Sequence, residues 1–178
     1  MNVIETSLQG CVIIEPTVYG DERGFFLETF QTEKYAAVAG IHTPFVQDNH
    51  SRSTRGVLRG LHFQKTKPQG KLVRVVRGEV FDVAVDLRKG STTFGRWEGV
   101  ILSENNKRQF WVPPGFAHGF LVLSEIADFE YKCTDYYDPS DEGCVLWNDP
   151  ALNIDWPLGK PILSHKDANA QLLREVSV

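Results

Sequence analysis

The run Val57-Leu58-Arg59-Gly60-Leu61-His62-Phe63-Gln64 sets an arginine and a histidine inside an otherwise apolar, strand-like segment. Farther along, Pro113-Pro114-Gly115-Phe116-Ala117-His118-Gly119-Phe120 places a second histidine just past a Pro/Gly turn. Ionisable groups are costly inside a sheet unless something there uses or pairs them. Two such insertions in one small chain point to a β fold whose interior is a reaction pocket as well as a core.

Outward from these two runs, short segments rich in β-branched and aromatic residues recur between Gly and Pro turns. Strands are expected over 10–15, 24–30, 45–53, 56–63, 71–76 and 79–87, then over 96–102, 109–112, 119–123 and 126–136. Helices are expected only over 31–39, stopped by Gly40, and over 166–173. The stretch 149–161, rich in Pro, Gly and Trp, reads as irregular but packed. The pattern is that of a sandwich or barrel. Strand alternation places Phe81, Val83, Val85 and Leu87 on one face and Val80, Asp82, Ala84 and Asp86 on the other. A regular strand through Phe129, Tyr131, Cys133, Asp135 and Tyr137 would aim Tyr131 and Tyr137 into the same space.

With 178 residues, 42% hydrophobic and 24% charged, the chain suits one domain spanning 1–178. A net charge of −4 and a pI near 5.7 argue against nucleic acid as a partner. A local Arg/Lys cluster can still hold an anionic small molecule. The N-terminal residues lack the basic and apolar regions of a signal peptide, and the apolar runs are too short to cross a bilayer. The three cysteines, Cys11, Cys133 and Cys144, show neither metal spacing nor a disulfide framework. A cytoplasmic setting without membrane contact is the expectation.

The histidine segments resemble the paired motifs of the cupin superfamily, which implies a double-sheet jelly-roll barrel: mainly β, with a few short helices. Gly56 and His62 match the first motif, and Pro113, Gly115 and His118 the second. A metal-binding cupin carries another histidine two residues after the first and a glutamate soon after. Here those places hold Gln64, Lys65, Thr66 and Lys67. His62 and His118 alone fall short of the three protein ligands a tight site wants, so neither metal nor other cofactor is expected.

Without metal, the equipment is acid–base. A histidine is a natural base at neutral pH, a tyrosine can return a proton, and a lysine or arginine can steady an enolate. Together they suit proton removal beside a carbonyl and return on the opposite face.

Several blocks in order then resemble the dTDP-4-dehydrorhamnose 3,5-epimerase family. They are Arg55-Gly56-Val57-Leu58-Arg59-Gly60-Leu61-His62-Phe63-Gln64, Gln69-Gly70-Lys71, the run from Gly78 to Asp86, Pro114-Gly115-Phe116-Ala117-His118-Gly119-Phe120 and Trp147-Asn148-Asp149-Pro150. The similarity runs from about Ile14 to Leu172. It implies an isomerase of rhamnose biosynthesis that needs no cofactor and inverts C3 and C5 of dTDP-4-dehydro-6-deoxy-D-glucose, beside the C4 ketone. By the same resemblance His62 is the base, Asp167 its orienting carboxylate, Lys71 the enolate stabiliser and Tyr131 the proton donor. Tyr137 would stack on thymine. Arg23, Glu28, Gln47, Asp48 and Asn49 would line the nucleotide-sugar site, with Arg59, His118, Glu142 and Lys166. Relatives are dimers that exchange N-terminal strands, so the resemblance implies a homodimer in which some groups serve the neighbour's pocket.

Local readings compete with these roles. Strict alternation puts Arg59 and His62 on opposite faces unless Gly60 carries a bulge. Ser164-His165-Lys166-Asp167 is a capping-box pattern that would spend Asp167 on backbone, leaving Asp82 as a rival partner for His62. With no Gly-rich phosphate loop, a diphosphate would fall to Arg59, Arg23 and Lys166. The alternatives are an epimerase acting at one carbon only, a metal-dependent cupin enzyme, and a non-catalytic sugar-nucleotide binder.

Overall fold

The computed structural model describes residues 1–177; Val178, the last position of the expected domain span, lies outside them. Two antiparallel sheets face each other. In spatial order the larger holds β1 (Asn2–Glu5), β2 (Val12–Glu15), β10 (Gln109–Val112), β7 (Lys71–Arg77), β12 (Ile126–Cys133) and β5 (Gln47–Thr54). The smaller holds β13 (Glu142–Cys144), β6 (Leu58–Gln64), β11 (Phe116–Val122), β8 (Glu79–Asp86) and β9 (Trp97–Ser103). A separate hairpin, β3 (Val18–Asp21) with β4 (Gly24–Leu27), stands apart from both. Neighbouring strands come from distant parts of the chain, which is the double-sheet jelly roll the cupin motifs implied.

Each expected strand segment contains a strand, and three further strands were not anticipated. β1 and β3 are four residues each, too short for a periodic signal. β13 is the tripeptide Glu-Gly-Cys, and it is a strand only because β6 offers it an edge. The expected strand over 126–136 stops at Cys133, so Tyr137 reaches its place on the turn that follows. Helix α1 (Thr32–Ala39) begins at Gln31, whose side chain accepts from the Lys34 N–H, and ends at Gly40 with φ 68°. The expected helix over 166–173 is corrected: only α2 (His165–Ala168) forms, and a 3₁₀ turn follows at Leu173–Glu175. Between them Gln171 is drawn into a bridge with Val145, and its carbonyl accepts from Leu146 N–H.

Three apolar layers result. Between the sheets lie Val73, Val80, Ala84, Phe110, Phe120 and Phe129. On the outer face of the larger sheet, Tyr35 of α1 and Ile41 just after it cover Ile14, Leu72 and Trp111, with Val3 of β1 beside them. Outside the smaller sheet, Val83, Val85 and Leu87 pack under Leu152, Ile154 and Trp156. Both faces of β8 are therefore buried. Its fully apolar face meets the C-terminal segment, while the face carrying Asp82 and Asp86 looks inward.

Candidate active site

The jelly roll is not packed solid. A cavity of about 620 Å³ opens between the sheets, walled by Arg59 and His62 of β6, His118 and Phe120 of β11, Lys71 of β7 and Tyr131 of β12. The segment Ile162–Asp167 closes one side of it. That segment is pinned by the Leu58 N–H donating to the Ile162 carbonyl and the Ile162 N–H donating to the Gly56 carbonyl.

Arg59 and His62 share the cavity because β6 is bulged. His118 pairs with His62 and Phe120 with Arg59, so Gly60 and Leu61 together oppose Gly119 alone. Two glycines make this approach feasible. A Cβ on Gly60 would lie 2.5 Å from Gly119 Cα, and Gly60 has φ 131°. Arg59 is steadied by its Nε donating to Ser53 Oγ at 3.0 Å.

Two imidazole–carboxylate pairs stand side by side. His62 Nε2 lies 2.6 Å from Asp167 Oδ1. Asp167 also donates its backbone N–H to Ser164 Oγ, so the Ser164 half of the capping box forms while the carboxylate is turned to the histidine. Burial works to raise Asp167, but the hydrogen bond and charge of His62 and the Ser164 contact hold it below the usual carboxylate range. The rival carboxylate, Asp82, instead faces His118 Nε2 at 2.9 and 3.0 Å and is wholly enclosed. Its burial raises its pKa despite the neighbouring imidazole.

Lys71 opens β7, a central strand, and projects into the cavity. Burial lowers its pKa, and the carboxylates that reach it, Glu142 and Asp82, act only at a distance. Burial pushes Tyr131 up to about 12, which keeps its phenol protonated. Tyr131 and Lys71 are diagonal neighbours on one face of the larger sheet, since Tyr131 pairs with Val73 and Cys133 with Lys71.

At the rim, Glu142 Oε2 accepts from Lys166 Nζ at 2.7 Å and from Tyr137 Oη at 3.0 Å, while its Oε1 stands 3.9 Å from His62 Nδ1. Burial works to raise Glu142, and the Lys166 bond together with the charge of His62 outweighs it. Gln47 accepts from the Tyr137 N–H and donates to Asn49 Oδ1; both share the face of Ser51, which lines the cavity.

Not every expected binding residue comes to this cavity. Asp48, between Gln47 and Asn49, points to the other face and pairs with Lys132 at 3.0 Å. Arg23 lies on the β3–β4 hairpin, 86% exposed and paired with Asp21. Glu28 pairs with Lys34 of α1. Gln64, where a metal-binding cupin has a ligand, is spent on loops: it donates to the Lys67 and Tyr136 carbonyls and accepts from Asp138 N–H. Sequence reasoning did not find Cys144, whose Sγ lies 3.8 Å from Asp167 Oδ1; a three-residue strand leaves no pattern that could have revealed it. Burial and the Asp167 charge push its thiol up to about 12. A smaller groove of about 360 Å³ on the outer face of the larger sheet is lined by Asp48, Lys132, Arg74 and Glu130, which neutralise one another in pairs.

A jelly roll whose lumen carries a carboxylate-held imidazole on one sheet and an amine and a phenol on the other is equipped to remove a proton from one face of a bound carbon and return it to the other. Comparison with known proteins gives the family. The family described as dTDP-4-dehydrorhamnose 3,5-epimerase matches residues 5–175. The enzyme of that name from Salmonella typhimurium is 58% identical over 97% of this chain and 96% of its own length. The crystal structure of the 3,5-epimerase of Legionella pneumophila in complex with dTDP-4-keto-L-rhamnose is 62% identical. It covers 98% of this chain and 94% of its own, with a TM-score of 0.96. The Bacillus anthracis enzyme with TDP and PPi bound is 47% identical, covering 96% and 98%, with a TM-score of 0.93. The chain belongs to the dTDP-4-dehydrorhamnose 3,5-epimerase family, isomerases of the carbohydrate-epimerase class.

Proposed function

We propose that the chain binds dTDP-4-dehydro-6-deoxy-D-glucose between its sheets and inverts C3 and C5, giving dTDP-4-dehydro-L-rhamnose. One observation carries the reading: a carboxylate-held imidazole and a protonated phenol stand on opposing sheets of one cavity. Inversion removes a proton from one face of a carbon and returns one to the other. Packed sheets stand about 10 Å apart, room for a sugar ring between the two groups.

In this reading Asp167 accepts from His62 Nε2–H and fixes the tautomer, which leaves the Nδ1 lone pair to take the proton from the carbon beside the ketone. The electron pair moves onto the C4 oxygen, where Lys71 meets the developing charge. Tyr131 then gives its proton from the other side; solvent reprotonates Tyr131 and takes the proton from His62, which resets both groups for the second carbon. His118, held by Asp82, borders the same cavity as a substrate contact. Arg59 and Lys166 would neutralise the diphosphate, with Lys166 leaving Glu142 to do so, and Tyr137 with Gln47 and Asn49 would take the nucleoside end. No step calls for a metal or cofactor.

We further infer a homodimer. The β3–β4 hairpin exposes Tyr19, Phe25 and Phe26 by 64%, 61% and 70%, and Arg23 on it is not among the described residues that line the cavity between the sheets. An exposed apolar patch bearing a cation held only by its neighbour Asp21 suits delivery to a second copy's site. Three free thiols fit a cytoplasmic setting, and among the described residues no helix is long and apolar enough to cross a membrane.

The test is to follow dTDP-4-dehydro-6-deoxy-D-glucose by NMR in deuterated water. Deuterium at both C3 and C5 with inverted configuration is expected. Label at one carbon would replace this reading with a single-position epimerase, and no label would replace it with a binding module.

A further inference from the structure

We infer that His62, Asp167 and Cys144 form a site for a thiophilic divalent cation, Zn²⁺ by its chemistry, and that filling it switches the epimerase off. The inference rests on His62 being the base. A ring nitrogen of His62, the Cys144 sulfur and an Asp167 oxygen all lie within 4.8 Å of one another. The fold fixes this grouping. Cys144 and His62 are direct partners across β13 and β6, and α2 lays Asp167 against both.

The donor set is selective. Imidazole, thiolate and carboxylate on one ion are the ligands of zinc, whereas Mg²⁺ and Ca²⁺ prefer oxygen alone. Zinc bonds of about 2.0–2.3 Å in a tetrahedron set the ligand atoms roughly 3.3–3.8 Å apart. The Sγ–Oδ1 separation of 3.8 Å lies at the upper end of this range and the sulfur–imidazole separation is no more than 4.8 Å, so the sulfur has only to draw in slightly. The Nε2–Oδ1 separation of 2.6 Å must open somewhat as the metal takes the place of the shared proton. His62 and Asp167 line the cavity, so the fourth position opens onto it for water.

Occupancy changes the imidazole in a specific way. Zinc takes the Nε2 lone pair, so the ring proton moves from Nε2 to Nδ1, and the Cys144 thiol proton leaves to solvent. Nδ1–H then faces Glu142 Oε1, 3.9 Å away. A metal-bound histidine commonly donates its second N–H to a carboxylate, and Glu142 stands ready for that part. The lone pair that would have taken the substrate proton is gone. This site differs from the cupin metal site, since it uses neither Gln64 nor His118.

The experiment uses the chelator-treated, full-length protein. Adding Co²⁺ reads ligation directly, because a thiolate ligand gives a near-ultraviolet charge-transfer band. We expect that band in the parent and its loss in Cys144→Ala and Cys144→Ser, the second keeping the side chain's size. Zn²⁺ should inhibit deuterium wash-in at C3 and C5, EDTA should restore it, and both variants should need at least about tenfold more Zn²⁺ for the same inhibition. Absence of the band, or equal zinc sensitivity in parent and variants, would overturn the site. A band without inhibition would overturn the switch and count against His62 as base, whereas failure of the site alone leaves the epimerase reading standing.

Discussion

Asp167→Asn gives the sharpest test of the base pair. The amide keeps the shape and can still accept from His62 Nε2–H through its oxygen, so geometry is spared and charge is lost. Full charges at the observed 2.6 Å separation attract by about 6 kcal/mol at an effective dielectric near 20. If the proton is about half transferred in the transition state, roughly 3 kcal/mol is withdrawn there, a fall in kcat on the order of a hundredfold. The cap on α2 is Ser164 Oγ accepting from the Asp167 backbone N–H, which the substitution keeps, so any fall in melting temperature should be limited to the lost charge interaction with His62 that lowers the carboxylate's pKa. Ser164→Ala reverses the pattern: it removes the cap, costing about 1 kcal/mol, and leaves the carboxylate to face the imidazole. The assay is single-turnover deuterium wash-in at C3 and C5, read beside thermal unfolding of both variants. An Asp167→Asn enzyme within about threefold of the parent would refute the charge argument, since the arithmetic allows no such small effect.

Three further outcomes follow from the geometry. Tyr131→Phe should still exchange substrate protons into solvent from the His62 side while failing to invert them; because burial holds the phenol near 12, the parent should show no alkaline loss from Tyr131 up to pH 10. Lys71→Met should lower kcat about 10²–10³-fold, yet melt no lower than the parent at pH 7. Burial depresses the Lys71 pKa, so its charge penalises folding at neutral pH, and the penalty fades as pH rises through the lowered folded pKa and is gone above the unfolded value of about 10.4, which pH-dependent melting of the pair would show. Asp86 is fully buried, accepting from Arg88, Ser91 and Thr93, and burial's upward push is outweighed so that its pKa is lowered. Asp86→Asn should therefore cost about 3–5 kcal/mol, or roughly 6–20 °C in Tm, with activity per folded molecule unchanged. The parent should lose this contribution as pH falls below about 4, where the unfolded carboxylate protonates.

The sheet content was legible because burial between layers leaves a period-two or all-apolar trace, and Gly and Pro mark where it stops. What local pattern does not record is which face meets what. Alternation separates the two faces of β8 without saying which looks inward: the fully apolar one packs outward under Trp156, while Asp82 and Asp86 face in. Asp48 sits between two cavity-side residues and is turned away by the same alternation that places them. The Arg59–His62 conflict did carry a local clue in Gly60, since only a bulge reconciles a three-residue spacing with one face.

Asp167 shows why the rest was out of reach. Its backbone serves the helix cap, as the Ser-x-x-Asp spacing suggests, and its carboxylate serves His62, 105 residues earlier. The two uses are compatible because they draw on different atoms, so a correct local reading neither implies nor excludes the distant one. The opposition of His62 and Tyr131 is likewise a property of strand order. β6 lies in the smaller sheet and β12 in the larger, and no residue near either records that they will face each other. Yet that opposition is what an inverting enzyme requires, since base and acid on one sheet would return the proton to the face it left. In a jelly roll the two-sided chemistry is supplied by topology, and the side chains supply only its acid and its base.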